Sequence, residues 1–255
     1  MKKIAIISGA SSGIGREFLK EVVKEETFDE IWAIARRKDR ILKLKEETGL
    51  PIVALSLDLS KDESFIKLSE KLEAEKPSVS LLANISGFGK FGSTEEISLS
   101  DSLGMIDLNC RALTAVTKIV LPYMDKGSKL LEFDSISAFN PVPYINVYAA
   151  TKAYVLSFTR GLAKELRPRG IRVMAACPFW VKTEFFDIAE GEKEVIKKIG
   201  AVYEASAVAK TTVRHLYHTK KDVSVHGLYA KFQSILVKIL PHSWVMNIWL
   251  KSQGK

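Results

Sequence analysis

The sequence predicts a doubly wound α/β fold, a parallel sheet with helices on both faces. Three observations predict it. Short apolar runs alternate with longer segments of helical periodicity through roughly the first 180 residues. A glycine-rich turn, "SGASSGIG", joins the first apolar run to the first helical segment. No Pro/Gly-rich linker and no repeat interrupts the alternation, so one domain over 1–255 is expected.

The elements follow in order. Residues 3–8 read as the first strand and "REFLKEVVKEE" as the helix after the turn. Strands are expected at 30–35, 52–56 and 79–83, with "SFIKLSEKLEAE" as a helix between the last two. The long pattern "LGMIDLNCRALTAVTKIVLPYM" reads as one helix before a strand at 129–134, and "YVLSFTRGLAKELR" as the helix before a strand at 171–177. A weaker strand, "DVSVHG", closes the sheet. Residues 184–206 read as a charged, helical insertion. The tail 228–255 carries many large apolar groups, and Pro241 divides it into two helical pieces.

Bulk properties bound the function. A chain of 255 residues, 47% hydrophobic and 27% charged, is a globular protein with one substantial core. Cys110 and Cys177 form no metal-ligand pattern and are expected as small buried hydrophobes in a reducing compartment. "MKKIAIISGA" reads as a first strand rather than a secretory leader, and no apolar stretch approaches the roughly 18 residues that span a bilayer. A cytoplasmic location is the expectation. The formal charge of +8 is spread along the chain with no nucleic-acid motif, which predicts a solvated basic surface.

Two motifs carry chemistry. In "SGASSGIG", Gly9, Gly13 and Gly15 permit a tight turn and close approach of backbone to ligand, and the helix behind them offers free N–H groups to a phosphate. In "YAATK", Tyr148 and Lys152 fall on one helix face, one turn apart. A phenol has a reference pKa of about 10 and is a competent acid but a poor base at neutral pH. A neighbouring ammonium is expected to lower that pKa, toward the range where proton transfer works in both directions.

"SGASSGIG", "NISG" after the fourth strand and "YAATK", in that order, resemble the short-chain dehydrogenase/reductase family from Lys3 to about Thr183. The resemblance implies a single Rossmann-type doubly wound parallel sheet, a nicotinamide cofactor, and hydride transfer between a carbonyl and a secondary alcohol. It places the cofactor on Gly9, Ser11, Ser12, Gly13, Ile14 and Gly15; on Asp58 and Leu59; on Asn84, Ser86 and Gly87; on Tyr148 and Lys152; and on Pro178, Val181 and Thr183. In "AIARRKDR", Arg36 and Arg37 stand where an NAD site would carry a carboxylate. Guanidinium forks suit a 2′-phosphate, so NADP(H) is expected. The resemblance also implies a catalytic set of Asn109, Ser135, Tyr148 and Lys152, with Ser135 holding the substrate oxygen and Asn109 organising a water bridge to Lys152.

Phe179 departs from the family pattern by replacing a Gly after Pro178, which raises the question of backbone strain; "NISG" for Asn-Asn-Ala-Gly is a milder change. Residues 184–206 lie where relatives form a substrate lid. Phe185, Phe186 and Ile188, with "PYINV" and "GFGKFG", are expected to line a pocket for a hydrophobic, steroid-like or lipid-like carbonyl, as in a hydroxysteroid dehydrogenase. The tail is expected to pack within the protein or against a second copy in a homodimer or homotetramer; contact with a membrane surface ranks below that. The alternative function is a non-catalytic NADP(H)-binding sensor, which would have no need of all four catalytic groups.

Overall fold

The computed structural model describes residues 1–190, 195–197 and 200–255. Seven strands form one wholly parallel sheet: β1 (Lys3–Ser8), β2 (Glu30–Ala35), β3 (Ile52–Ser56), β4 (Ser78–Asn84), β5 (Lys129–Phe133), β6 (Arg172–Ala176) and, reached later in the chain, β9 (Val223–Ser224). Their order across the sheet is β3-β2-β1-β4-β5-β6-β9, so the chain winds outward in opposite directions from the β1–β4 pair. This is the predicted doubly wound sheet, with six strands at the expected places and "DVSVHG" as its short edge.

Period-2 geometry explains why the strands read as nearly unbroken apolar runs. Ala5 and Ile7 of β1 enter the core on one face of the sheet, while Ile4 and Ile6 enter the core on the other. Helices α1 (Gly13–Val22), α2 (Lys38–Thr48) and α8 (Ala205–His218) cover the first face through Phe18, Leu19, Ile41, Leu44, Val213 and Leu216. Helices α3 (Asp62–Glu75), α5 (Leu113–Val120) and α6 (Asn146–Glu165) cover the second through Leu68, Leu72, Val116, Val120 and Leu162.

The structure departs from the expected elements in three places. The long helix is continuous but irregular: α4 (Leu99–Ile106) passes through a π-helical turn at Asp107–Ala112 into α5, and the chain leaves by a 3-10 turn at Leu121–Tyr123 that holds Pro122. The 184–206 segment is only partly helical. It holds α7 (Phe185–Glu190) and β8 (Val202–Glu204), and β8 pairs in parallel with β7 (Trp180–Lys182) as a second, two-stranded sheet. Positions 191–194 and 198–199 of the expected lid lie outside the described residues. Third, Ala205–His218 is a full helix with an apolar side, although no helix was expected between the insertion and the last strand. The tail divides at Pro241 as expected, into α9 (Leu228–Ile239) and α10 (His242–Ser252). Among the described residues, no helix is long and apolar enough to cross a membrane.

Candidate active site

The crevice lies where the strand order reverses, at the carboxyl ends of β1 and β4. Gly9 turns the chain with φ +70°, and a Cβ there would lie 2.9 Å from the Ser86 amide nitrogen. A Cβ on Gly15 would lie 2.2 Å from the Gly9 carbonyl oxygen, so only glycine lets α1 start this close to β1. The Ser8 hydroxyl accepts hydrogen bonds from the Ile85 and Ser86 amides at 3.0 and 3.1 Å, which fixes the two loops to each other. Ser12 stands at the N-cap of α1 without a capping side-chain bond, leaving its hydroxyl for another partner.

That partner is Arg37. Its Nη2 donates to Ser12 Oγ at 3.0 Å, and both terminal nitrogens donate to Glu184 Oε2 at 3.0 Å. Arg40, one helical turn further, donates to Glu184 Oε1 at 2.5 Å. Hydrogen bonds from Arg40 and Arg37 hold the Glu184 carboxyl below the usual carboxylate range. Two guanidinium groups converge on one carboxylate beside the glycine turn, and the Ser12 hydroxyl braces one of them. That donor set fits a phosphate monoester. Arg36 also lines the crevice, beside Asp58. Burial acts against ionising Asp58, but hydrogen bonds from the Ser60 hydroxyl and amide outweigh it and hold the carboxyl low.

Of the catalytic and cofactor residues predicted from sequence, all except Asn84 and Asn109 line one cavity of about 990 Å³; "PYINV" contributes only Ile145 to it, and "GFGKFG" contributes Gly87, Phe88, Lys90 and Phe91. The Asn84 side chain turns into the core, where its Nδ2 donates to Thr117 Oγ1 at 3.0 Å and to Glu132 Oε1 at 3.2 Å. Asn109 sits in the π-helical turn and is nearly fully buried. Its Nδ2 donates to the Phe88 carbonyl at 2.9 Å and to Thr151 Oγ1 at 3.0 Å, and its Oδ1 accepts from the Phe88 amide at 3.1 Å. Asn109 thus holds the loop after β4 against α6, and one lone pair of its Oδ1 is left over.

Tyr148 and Lys152 share a face of α6, with the Lys152 ammonium 5.7 Å from the Tyr148 ring centroid. The ammonium is buried and donates to the Phe133 carbonyl at 2.8 Å. Burial pushes the Lys152 pKa down, with the Asp134 carboxylate opposing. The expectation that Lys152 lowers the Tyr148 pKa does not hold in this state. Burial pushes the phenol above its ordinary value, and the hydrogen bond with the Ser135 hydroxyl only partly offsets it. Tyr148 is therefore held protonated, as a hydrogen-bond donor. Beneath the pair lie two carboxyls that sequence reasoning did not single out. Burial pushes Asp134 up to about 7 and Glu132 up to about 8, and one oxygen of each has no hydrogen-bond partner.

Aromatic rings wall the far end of the cavity. Phe185 lies 5.4 Å from the Tyr148 ring, Trp180 lies 5.8 Å from Phe91, and Phe179 lies 5.5 Å from Tyr229. Gly89, within "GFGKFG", makes this possible. A Cβ there would lie 2.9 Å from both Phe185 Cζ and Tyr148 Cδ2. Phe179 is not among the residues with positive φ, so replacing the family's Gly costs no backbone strain. The tail closes the wall: Trp249 Nε1 donates to the Pro143 carbonyl at 3.0 Å, and the buried Gln253 Oε1 accepts from the Lys197 amide at 2.9 Å. Cys177 is buried as expected, whereas Cys110 is only partly so.

Known proteins are similar to this chain in sequence and in fold. Residues 3–193 match the family described as short chain dehydrogenase. The very-long-chain 3-oxoacyl-CoA reductase of Rattus norvegicus is 27% identical over 253 residues, covering 95% of this chain and 78% of the relative. Among solved structures, a short-chain dehydrogenase from Sphingobium yanoikuyae in complex with NADPH superposes with a TM-score of 0.77 at 24% identity, covering 95% of this chain and 98% of that one. The 3-ketoacyl-(acyl-carrier-protein) reductase from Brucella melitensis complexed with NADH gives 0.75 at 24% identity, covering 89% and 96%. With the seven-stranded parallel sheet, the glycine turn and the Tyr148–Lys152 pair in one crevice, the chain belongs to the short-chain dehydrogenase family of oxidoreductases.

Proposed function

We propose that the protein is an NADP(H)-dependent reductase that interconverts a carbonyl and a secondary alcohol on a lipid-like substrate. The observation that carries this reading is one cavity in which the glycine turn, Arg36, Arg37, Ser135, Tyr148 and Lys152 meet an aromatic wall, with Arg40 beside Arg37 on Glu184. The bound nicotinamide would supply or accept the hydride. The chain's own groups do the rest. Ser135 and Tyr148 hydrogen-bond the carbonyl oxygen, and Tyr148, held protonated by burial, donates its proton as the alkoxide forms. Lys152, tethered to the Phe133 carbonyl, stabilises the phenolate left behind and would hold the nicotinamide ribose. Asn109 acts as a positioning residue through Thr151 and the Phe88 backbone.

The remaining predicted residues bind cofactor: the turn from Gly9 to Gly15, Asp58 and Leu59, Ser86 and Gly87, and Pro178, Val181 and Thr183. Asn84 supports that loop from below rather than by contact. The unpartnered Ser137 Oγ and Gln233 Oε1 are polar anchors in a largely apolar substrate end. The rat relative's name favours a long-chain 3-oxo compound over a steroid. Residues 1–255 act as one dinucleotide-binding domain, with 184–206 as lid and 228–255 as outer wall. Exposed Leu99, Leu103 and Ile106 on α4 and Tyr154 on α6 support homo-oligomer formation, and the cytoplasm is kept as the proposed location.

The test is oxidation of NADPH and of NADH by the enzyme with a panel of ketones, steroids and long-chain 3-oxo thioesters. The reading expects NADPH to be consumed much faster than NADH, fastest with a long-chain 3-oxo compound. Preference for NADH overturns the cofactor assignment. Tight NADPH binding with no turnover across the panel favours the sensor.

A further inference from the structure

We propose that the outward face of α9 and α10 docks on an anionic lipid surface, so that the cavity opens toward the bilayer. Helix α9 is apolar on more than one side. Its inner side walls the cavity through Gln233, Leu236, Val237 and Leu240. Its outer side carries Leu228, Phe232, Ile235 and Ile239 at helical spacing, 84, 66, 58 and 73% exposed. Trp244 and Ile248, one turn apart on α10, are 61 and 62% exposed. Scattered exposed apolar side chains are ordinary, but a contiguous stripe across two consecutive helices needs a covering medium.

Charge says which medium. From Leu228 to Lys255 the sequence contains no Asp or Glu, and it carries Lys231, Lys238, Lys251 and Lys255. Two copies paired face to face about a two-fold axis would set these lysines against one another with no acidic side chain in the segment to meet them. Phosphate headgroups supply the missing negative charge. Lys238 and Lys255 rest on the Phe139 and Tyr144 rings, leaving Lys231 and Lys251 for the headgroups. An exposed Trp and lysines flanking an apolar stripe are the side chains that suit a membrane–water boundary. No described helix is long and apolar enough to cross, so the helices would lie in the boundary plane.

The docking face and the cavity share residues. Leu236 and Ile248 line the cavity and are also 39 and 62% exposed. A lipid-like molecule leaving the bilayer would meet the aromatic end of the cavity without crossing water. This last step rests on the lipid-like reading of the substrate; the docking itself does not.

The experiment is co-sedimentation of the full chain with vesicles of phosphatidylcholine alone and of phosphatidylcholine mixed with phosphatidylglycerol, at low and high salt. The wild-type protein is expected to pellet with the mixed vesicles, several-fold less with the neutral ones, and to be partly released by salt. Phe232→Ser/Ile239→Ser, at positions that do not line the cavity, is expected to lose about tenfold or more in vesicle binding while keeping its turnover of a water-soluble ketone. Brominated phosphatidylcholine provides a readout on the unaltered fold. It is expected to quench wild-type fluorescence, and Trp244→Phe to remove most of that quenching. A wild-type protein that stays in the supernatant with both vesicles overturns the proposal. So does a dimer, seen by light scattering, that Phe232→Ser/Ile239→Ser converts to monomer, because a second copy would then cover the face. Vesicle binding is read without turnover, so failure of the docking and failure of the reductase reading are separate results.

Discussion

Replacing Glu184 by Gln should tighten NADPH binding and leave NADH binding nearly unchanged. The carboxylate occupies the Arg37 fork at 3.0 Å and Arg40 at 2.5 Å, the donors proposed to take the 2′-phosphate. Arriving phosphate must displace it. All three side chains are about two-fifths exposed, so solvent screens the pairs, and each is worth ~0.2–1 kcal/mol. Removing both contacts therefore returns ~0.4–2 kcal/mol to the incoming phosphate, or about 2- to 30-fold in Kd. The assay is titration by NADPH and NADH fluorescence, repeated at higher salt, where the gain should shrink. Arg37→Ala run alongside should weaken NADPH selectively. Glu184→Gln weakening NADPH, or changing both cofactors equally, would refute the reasoning. An unchanged NADPH/NADH ratio in Arg37→Ala would instead remove the 2′-phosphate assignment.

Three further outcomes are expected. Glu132 and Asp134 have folded pKa values raised to about 8 and about 7, so between about pH 4 and those values the folded chain holds protons that the unfolded chain has lost. Their stabilisation is complete below the unfolded pKa and is lost as pH rises through the folded one. Tm should fall from pH 5 to 9, and in Glu132→Gln part of that slope should vanish, an effect on the order of a few kcal/mol near pH 9; a slope unchanged by the substitution contradicts it. Gly89→Val should displace Tyr148 and Phe185 and lower kcat by about 100-fold while NADPH Kd holds, since displacements near 1 Å cost that much. Phe179→Ala should keep Tm within a few degrees but raise KM for a long-chain substrate by about tenfold, because the ring packs against Tyr229 in the cavity wall and not in a strained turn.

Most of the sheet was legible because parallel strands buried on both faces appear as plain apolar runs, and the site motifs sit at their carboxyl ends. What the sequence concealed has physical reasons. The π turn at Asp107–Ala112 leaves hydrophobic periodicity almost unchanged, so only coordinates reveal that Asn109 sits in it. β7 and β8 are three residues each, too short for an alternation to register. The Glu184–Arg37 contact joins positions remote in sequence, and nothing local marks it. Gly89 looks like any loop glycine until a Cβ is placed on it. Arg40 was readable in principle, one helical turn beyond Arg36 on the helix that follows β2. The Asn84 motif points to the cofactor, but strand alternation turns its side chain to Thr117 and Glu132 in the core. The burial that raises the Tyr148 pKa comes from groups remote in sequence, such as Phe185, which the "YAATK" spacing does not show.

The measurement that tests the central claim most directly is single-turnover reduction of a long-chain 3-oxo substrate by wild type and Tyr148→Phe, with NADPH Kd measured on both. The account predicts a rate at least about 100-fold lower in the variant, the loss expected when a general acid is removed, with NADPH Kd unchanged within about twofold. A Tyr148→Phe variant that reduces the substrate at the wild-type rate would contradict it.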